Sequence, residues 1–203
     1  MQRSFLIFAT AFVALMAGAL FYAARFPVEV PVPPAEDQEQ APADGAAPIY
    51  PSFTLVDMDS VERDLSEWQG KHRLLNFWAT WCAPCRREIP LLKEFQATYG
   101  DEGFQIIGIA VDFPEEVSDY AEEAQFNYPI LVGQEDAMAV AETSGVEFIG
   151  MPFTMIVAAD GELLNTHIGE ILESHLEHIH RVLTMLDNGE IDKESARKAL
   201  DFL

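Results

Sequence analysis

Ser4 to Ala24 contains no charged residue, and Phe5 to Ala24 gives about the 20 apolar-rich positions that a helix needs to span a bilayer. A core helix of that length would normally show a polar face. Arg3 and the amino terminus precede the run and acids follow Pro27, so the positive-inside bias puts the terminus in the cytoplasm and exports the rest. A cleavable signal peptide is the competing reading, because Ala17-Gly18-Ala19 fits a small-residue cleavage pattern, although the run is long for one. Periodicity then disappears. Pro27 to Pro48 holds six prolines, five acids and no lysine or arginine, a composition that cannot bury enough apolar surface to fold. It reads as an extended linker whose 22 residues reach on the order of 70 Å. The chain thus divides into an anchor over 1–26, a linker over 27–48 and one domain over 49–203.

Within the domain the apolar period alternates between strand and helix. Leu74-Leu75-Asn76-Phe77-Trp78 is a short, nearly continuous apolar run, as expected of a strand covered on both faces. Ile89, Leu92, Phe95 and Tyr99 recur at helical spacing, with Pro90 inside as a kink and Gly100 as a stop. Gln105 to Val111 reads as a buried parallel strand and Pro114 to Gln125 as a helix with Val117, Tyr120 and Ala124 on one face. A short strand over 129–132 and a short helix over 136–143 follow. Phe153 to Ala158 and Leu163 to Ile168 form a hairpin about Asp160-Gly161, and Leu172, Leu176, Ile179, Leu183 and Leu186 mark a last amphipathic helix. Residues 192–203 add a short helix with no assigned role. The order is a βαβ unit, a helical insertion and a ββα unit.

The chemistry lies where the first strand meets its helix. Trp81-Cys82-Ala83-Pro84-Cys85 contains both cysteines of the 203-residue chain. A Cys-x-x-Cys entering a helix puts its first sulfur beside unpaired helix amides, which favour thiolate over thiol. The second cysteine, one turn on, is placed to attack a mixed disulfide and release the partner. A structural zinc site needs four ligands where this motif gives two, with His72 the nearest histidine, so no metal is expected. A purely structural disulfide three residues apart closes too small a loop to constrain the unfolded chain much.

Leu75-Asn76-Phe77-Trp78-Ala79-Thr80-Trp81-Cys82-Ala83-Pro84-Cys85-Arg86 resembles the active-site segment of the membrane-tethered thioredoxin-like thiol reductases of the TlpA/ResA family. The likeness runs from about Pro51 to about Leu186. Phe53-Thr54-Leu55 with Leu65 to Lys71 is similar to the family's N-terminal hairpin and approach to the central strand, and Gly150-Met151-Pro152-Phe153-Thr154 to its cis-proline loop. The resemblance implies an α/β thioredoxin-like fold with a mixed sheet and an N-terminal β-hairpin extension, behind a transmembrane helix. It implies that Cys82 attacks and Cys85 resolves, with no cofactor beyond the redox-active disulfide. Trp78, Trp81, Ala83, Pro84, Met151 and Pro152 would line the partner groove. Asn76 stands where thioredoxin has a buried aspartate, and Ala83 where some relatives have a glutamate, so the proton acceptor is water or another carboxylate. Glu147 and Asp112, each ending a segment expected near the motif, are the candidates. Met151 stands where relatives often carry a smaller or β-branched residue; methionine suits an adaptable groove, and simple packing explains it equally well.

Charge narrows the partners. The net charge of −22 argues against nucleic acid or anionic lipid, because phosphate binding needs clustered Lys and Arg. Arg86 and Arg87 are the local exception; they either hold the Cys82 thiolate or are helix-surface charges. His175 and His178 are neighbours on the last helix, whereas His180 lies about 160° from His178 and cannot share a metal with it. The expected protein is anchored in the inner membrane and faces the periplasm, where it reduces disulfides of exported proteins with electrons from a membrane thiol reductant. A redoxin-type peroxidase is disfavoured because its Thr-x-x-Cys pattern would need threonine at Ala79. A metal or copper chaperone binding through the same thiols is the reading from another class.

Overall fold

The computed structural model describes Tyr50, residues 52–143 and residues 150–201. The expected anchor and linker lie outside these residues, as does Glu147. Among the described residues no helix is long and apolar enough to cross a membrane. The elements are β1 (Thr54–Asp57), β2 (Glu62–Asp64), β3 (His72–Trp78), α1 (Ala83–Tyr99), β4 (Phe104–Val111), α2 (Pro114–Ala124), β5 (Ile130–Gly133), α3 (Glu135–Thr143), β6 (Phe153–Val157), β7 (Leu163–Ile168), α4 (Glu173–Asp187) and α5 (Lys193–Leu200).

They build one mixed sheet of seven strands in the order β2-β1-β5-β4-β3-β6-β7. The inner strands β3, β4 and β5 are parallel, and antiparallel strands extend the sheet on both sides. β3 sits between β4 and β6, and all seven of its residues are buried. Its alternation feeds two cores. Leu74 and Trp78 pack with Ile89, Leu92, Val117, Leu176 and Ile179 on the face covered by α1, α2 and α4. Leu75 and Phe77 pack on the other face with Leu55, Leu65, Trp68 and α3. Right-handed crossovers β3-α1-β4 and β4-α2-β5 put both helices on one face.

The N-terminal hairpin differs from expectation in its second strand. That strand is Glu62–Asp64, and Leu65–Trp68 coils into a 3-10 turn instead. Asp64 causes the change: its carboxylate accepts from the Ser66 amide at 2.8 Å while Glu67 returns to the Asp64 amide at 3.0 Å, a reciprocal cap. The unassigned C-terminal segment forms α5, capped by Asp192 on the Ser195 amide. Ala196 and Leu200 join the core, and Lys193 and Arg197 reach Asp160 and Glu162 at the β6–β7 turn. α5 packs against β7 and so shields one edge of the sheet.

Candidate active site

β3 delivers the chain to the motif, and Asp112 at the end of β4 fixes the turn between strand and helix. One Asp112 oxygen accepts from the Thr80 amide at 2.9 Å and the Thr80 hydroxyl at 2.6 Å; the other accepts from the Phe113 amide at 2.9 Å. With both oxygens engaged, Asp112 latches the loop between β3 and α1. Cys82 is the extended N-cap of α1, with Ala83 and Pro84 opening the first turn, where proline's missing donor costs nothing. The Cys85 amide points at Cys82 Sγ at 3.3 Å. The two cysteines form a disulfide with Cα atoms 5.3 Å apart. Cys82 is 5% exposed and Cys85 is sealed at 0%, so Cys82 is the more accessible residue of the pair.

Glu88 is the carboxylate that the sequence reading missed. It lies one turn beyond Cys85 on the same face of α1, fully buried. Asn76 Nδ2 donates to one of its oxygens at 2.7 Å and the Ile171 amide to the other at 2.7 Å. Burial raises its pKa to about 7 against the opposing pull of those two bonds. Asn76 also donates to Thr154 Oγ1 at 3.1 Å, so the residue in place of thioredoxin's aspartate holds an acid rather than being one. The signal was present: an acid between Cys85 and Ile89 falls on the apolar stripe of the helix.

The Met151-Pro152 bond is cis, and Pro152 is buried while Met151 is half-buried. The Pro152 carbonyl accepts from the Gly169 amide at 2.9 Å, which ties the proline to the loop after β7. Trp81 is 70% exposed beside the disulfide. Trp78 does not form part of a groove wall: it is 1% exposed, against Tyr120 and Phe126, because its β3 position points it into the helical layer. Three other apolar residues on neighbouring segments are exposed. Phe113 is joined to the motif loop through Asp112, Ile168 pairs with Phe153 next to Pro152, and Leu172 follows the residue that donates to Glu88; all three are exposed. Sequence periodicity misplaces two of them: Leu172, read as the start of the apolar stripe of the last helix, is its exposed N-cap, and Ile168 ends β7 exposed.

The arginines are already engaged. Arg87 pairs with Glu170, and Arg86 lies over the Tyr120 ring at 5.9 Å. On α4, His175 meets the His167 ring at 4.6 Å, His178 bonds the Ala199 carbonyl and His180 stacks on Tyr99. Among the described residues no group of three His, Cys, Asp or Glu side chains is arranged to hold a metal.

Residues 44–183 match the Redoxin family. The thiol-disulfide oxidoreductase ResA of Geobacillus kaustophilus is 34% identical over 134 residues, covering 64% of this chain and 75% of the relative. ResA of Geobacillus thermodenitrificans is 32% identical over the same shares. A thiol:disulfide interchange protein of the thioredoxin family from Chlorobium tepidum superposes with a TM-score of 0.61 at 28% identity, covering 70% of this chain and 98% of that one.

Proposed function

The chain belongs to the Redoxin family, in its ResA/TlpA-like branch, and from that premise we propose that it reduces disulfides in other exported proteins while tethered to the inner membrane. It is a thiol-disulfide oxidoreductase of the thioredoxin fold. The observation that carries the reading is the asymmetry of the pair: one sulfur at the mouth of a helix N-terminus, the other sealed behind it above a buried acid.

In the reduced enzyme the Cys82 thiolate, favoured by the α1 amides, attacks one sulfur of the partner's disulfide. A Cys82–partner bond forms and the partner's second sulfur leaves as a thiolate. Cys85 then gives its proton to Glu88, whose pKa of about 7 suits it to take and return protons near neutral pH. The Cys85 thiolate attacks Cys82 Sγ, the intramolecular disulfide reforms, and two electrons have passed to the partner dithiol. Trp81, Ala83, Pro84, Met151 and Pro152 border the incoming strand, joined by Phe113, Ile168 and Leu172. A membrane thiol reductant carrying electrons from the cytoplasm regenerates the dithiol. No nucleic acid or further cofactor takes part.

Cys82→Ser and Cys85→Ser test this directly. The first is expected to abolish insulin disulfide reduction. The second is expected to accumulate mixed disulfides with exported proteins, because no resolving thiol remains. Continued turnover by Cys85→Ser would sink the two-cysteine mechanism.

A further inference from the structure

Arg73 is a buried cation with only part of its guanidinium hydrogen-bonded. It is the second residue of β3, on the face that also carries Leu75 and Phe77. Its residue is 4% exposed, its one hydrogen bond runs from Nη2 to the Ala158 carbonyl at 3.3 Å, and its Nε has no partner. Among the described ion pairs none includes Arg73. Burying a charge with so little compensation is strongly unfavourable, and burial accordingly pulls its pKa below the ordinary arginine value.

The two carboxylates of the β6–β7 turn are already shared. Lys193 engages both Asp160 and Glu162, and Arg197 engages Glu162. The Asp160 carboxylate, which also acts on Arg73, is already held by Lys193. Arg73 lines a cavity of about 190 Å³ together with Tyr50, Ser52, Ser66, Gln69 and Asp160. The Ser52 hydroxyl is turned to Asp64, whereas the Gln69 side-chain amide occurs in none of the described hydrogen bonds and remains available as a donor.

We propose that this cavity binds a small oxyanion, carboxylate or phosphate in class, with Arg73 supplying the charge and Gln69 an orienting donor. At about 30 Å³ per water, the volume accommodates such an ion together with a few waters. Its walls come from three separate segments: Tyr50, whose amide donates to Gly161 at 2.8 Å; the 3-10 turn at Ser66; and the β6–β7 turn at Asp160. Trp78, at the opposite end of β3, is five residues away, roughly 17 Å along the strand, so the disulfide stays free.

The test uses the full-length oxidised chain in detergent. Its unfolding midpoint is followed as phosphate, or separately acetate, replaces chloride at constant ionic strength and pH. Binding to the folded state alone gives a saturable upward shift of the midpoint. Arg73→Met, similar in length and apolar, should erase the shift. Gln69→Glu places a carboxylate at the cavity wall and should raise the midpoint in chloride while removing the response to added anion. Both variants should keep wild-type insulin reduction. No shift with either anion, or an undiminished shift in either variant, overturns the proposal. If Arg73→Met fails to fold, Gln69→Glu alone decides it.

Discussion

At Glu88 two effects of opposite sign meet, and burial outweighs the hydrogen bonds from Asn76 and Ile171. Its folded-state pKa of about 7 lies above the unfolded carboxylate value of about 4.3. The folded protein therefore binds this proton more tightly. The associated stability is fully present below the unfolded pKa and is lost as pH rises through about 7. From the size of the gap the loss is at most about 4 kcal/mol. Urea unfolding of the oxidised protein at pH 5 and pH 8 should show most of that difference, and Glu88→Gln should flatten it to under about 1 kcal/mol. An equal slope in the variant would mean that another group titrates. The same substitution, with both cysteines intact, should remove the pH dependence near 7 from the attack of Cys85 on the Cys82–partner disulfide. The cysteines were legible because their spacing alone defines the chemistry. Glu88 was passed over: its spacing from Cys85 and Ile89 puts it on the apolar stripe, but it also reads as the end of a polar Arg86-Arg87-Glu88 triplet, and its partners lie 12 and 83 residues away.

Among the elements, those with a clear apolar period were read almost to their ends: β3, β4, α1, α2 and α4 each fall within two residues of expectation. β2 was missed because Glu62-Arg63-Asp64 carries no apolar alternation; it is a three-residue edge strand whose pairing with β1 alone defines it. Junctions are the other blind spot. Asp112 belongs by sequence to the end of β4, yet its work is done on Thr80, 32 residues earlier. Asp112→Ala removes three acceptor contacts and strands the Thr80 amide, which should cost about 2–3 kcal/mol. With the loop unlatched, Cys82 and Trp81 lose their fixed approach, so insulin reduction should fall further than the stability loss explains at temperatures where the variant is still folded. Asp112→Asn, which keeps an acceptor for one donor set, should lie between the two. Full activity in a folded Asp112→Ala variant would reduce the latch to packing.

For the whole molecule, the sequence bears on two properties that the fold alone leaves open, tethering and direction of electron flow. An uncleaved anchor keeps Met1 to Ala24 in the mature chain and holds it on membranes through a high-salt wash, since apolar insertion is not screened by ions. Mass spectrometry that finds a terminus near Leu20 would make the segment a signal peptide. Direction follows from what stabilises the thiolate. Strong oxidants owe their high potential to a stabilised reduced form. Here Ala83 and Pro84 bring neither charge nor side-chain donor between the cysteines, Arg87 is committed to Glu170, and Arg86 lies over Tyr120. The buried Glu88, when ionised, opposes a second negative charge on Cys85. Only the α1 amides favour the thiolate, as they do in any motif of this kind. The dithiol should therefore be reducing, with a potential nearer the thioredoxin value of about −270 mV than the value of about −120 mV for the strong periplasmic oxidant. Equilibration of the full chain against glutathione or dithiothreitol, read by thiol alkylation, measures it. A value above about −180 mV, the level of the disulfide isomerase, would reverse the flow and make the exported partners electron donors to Cys82–Cys85 rather than acceptors.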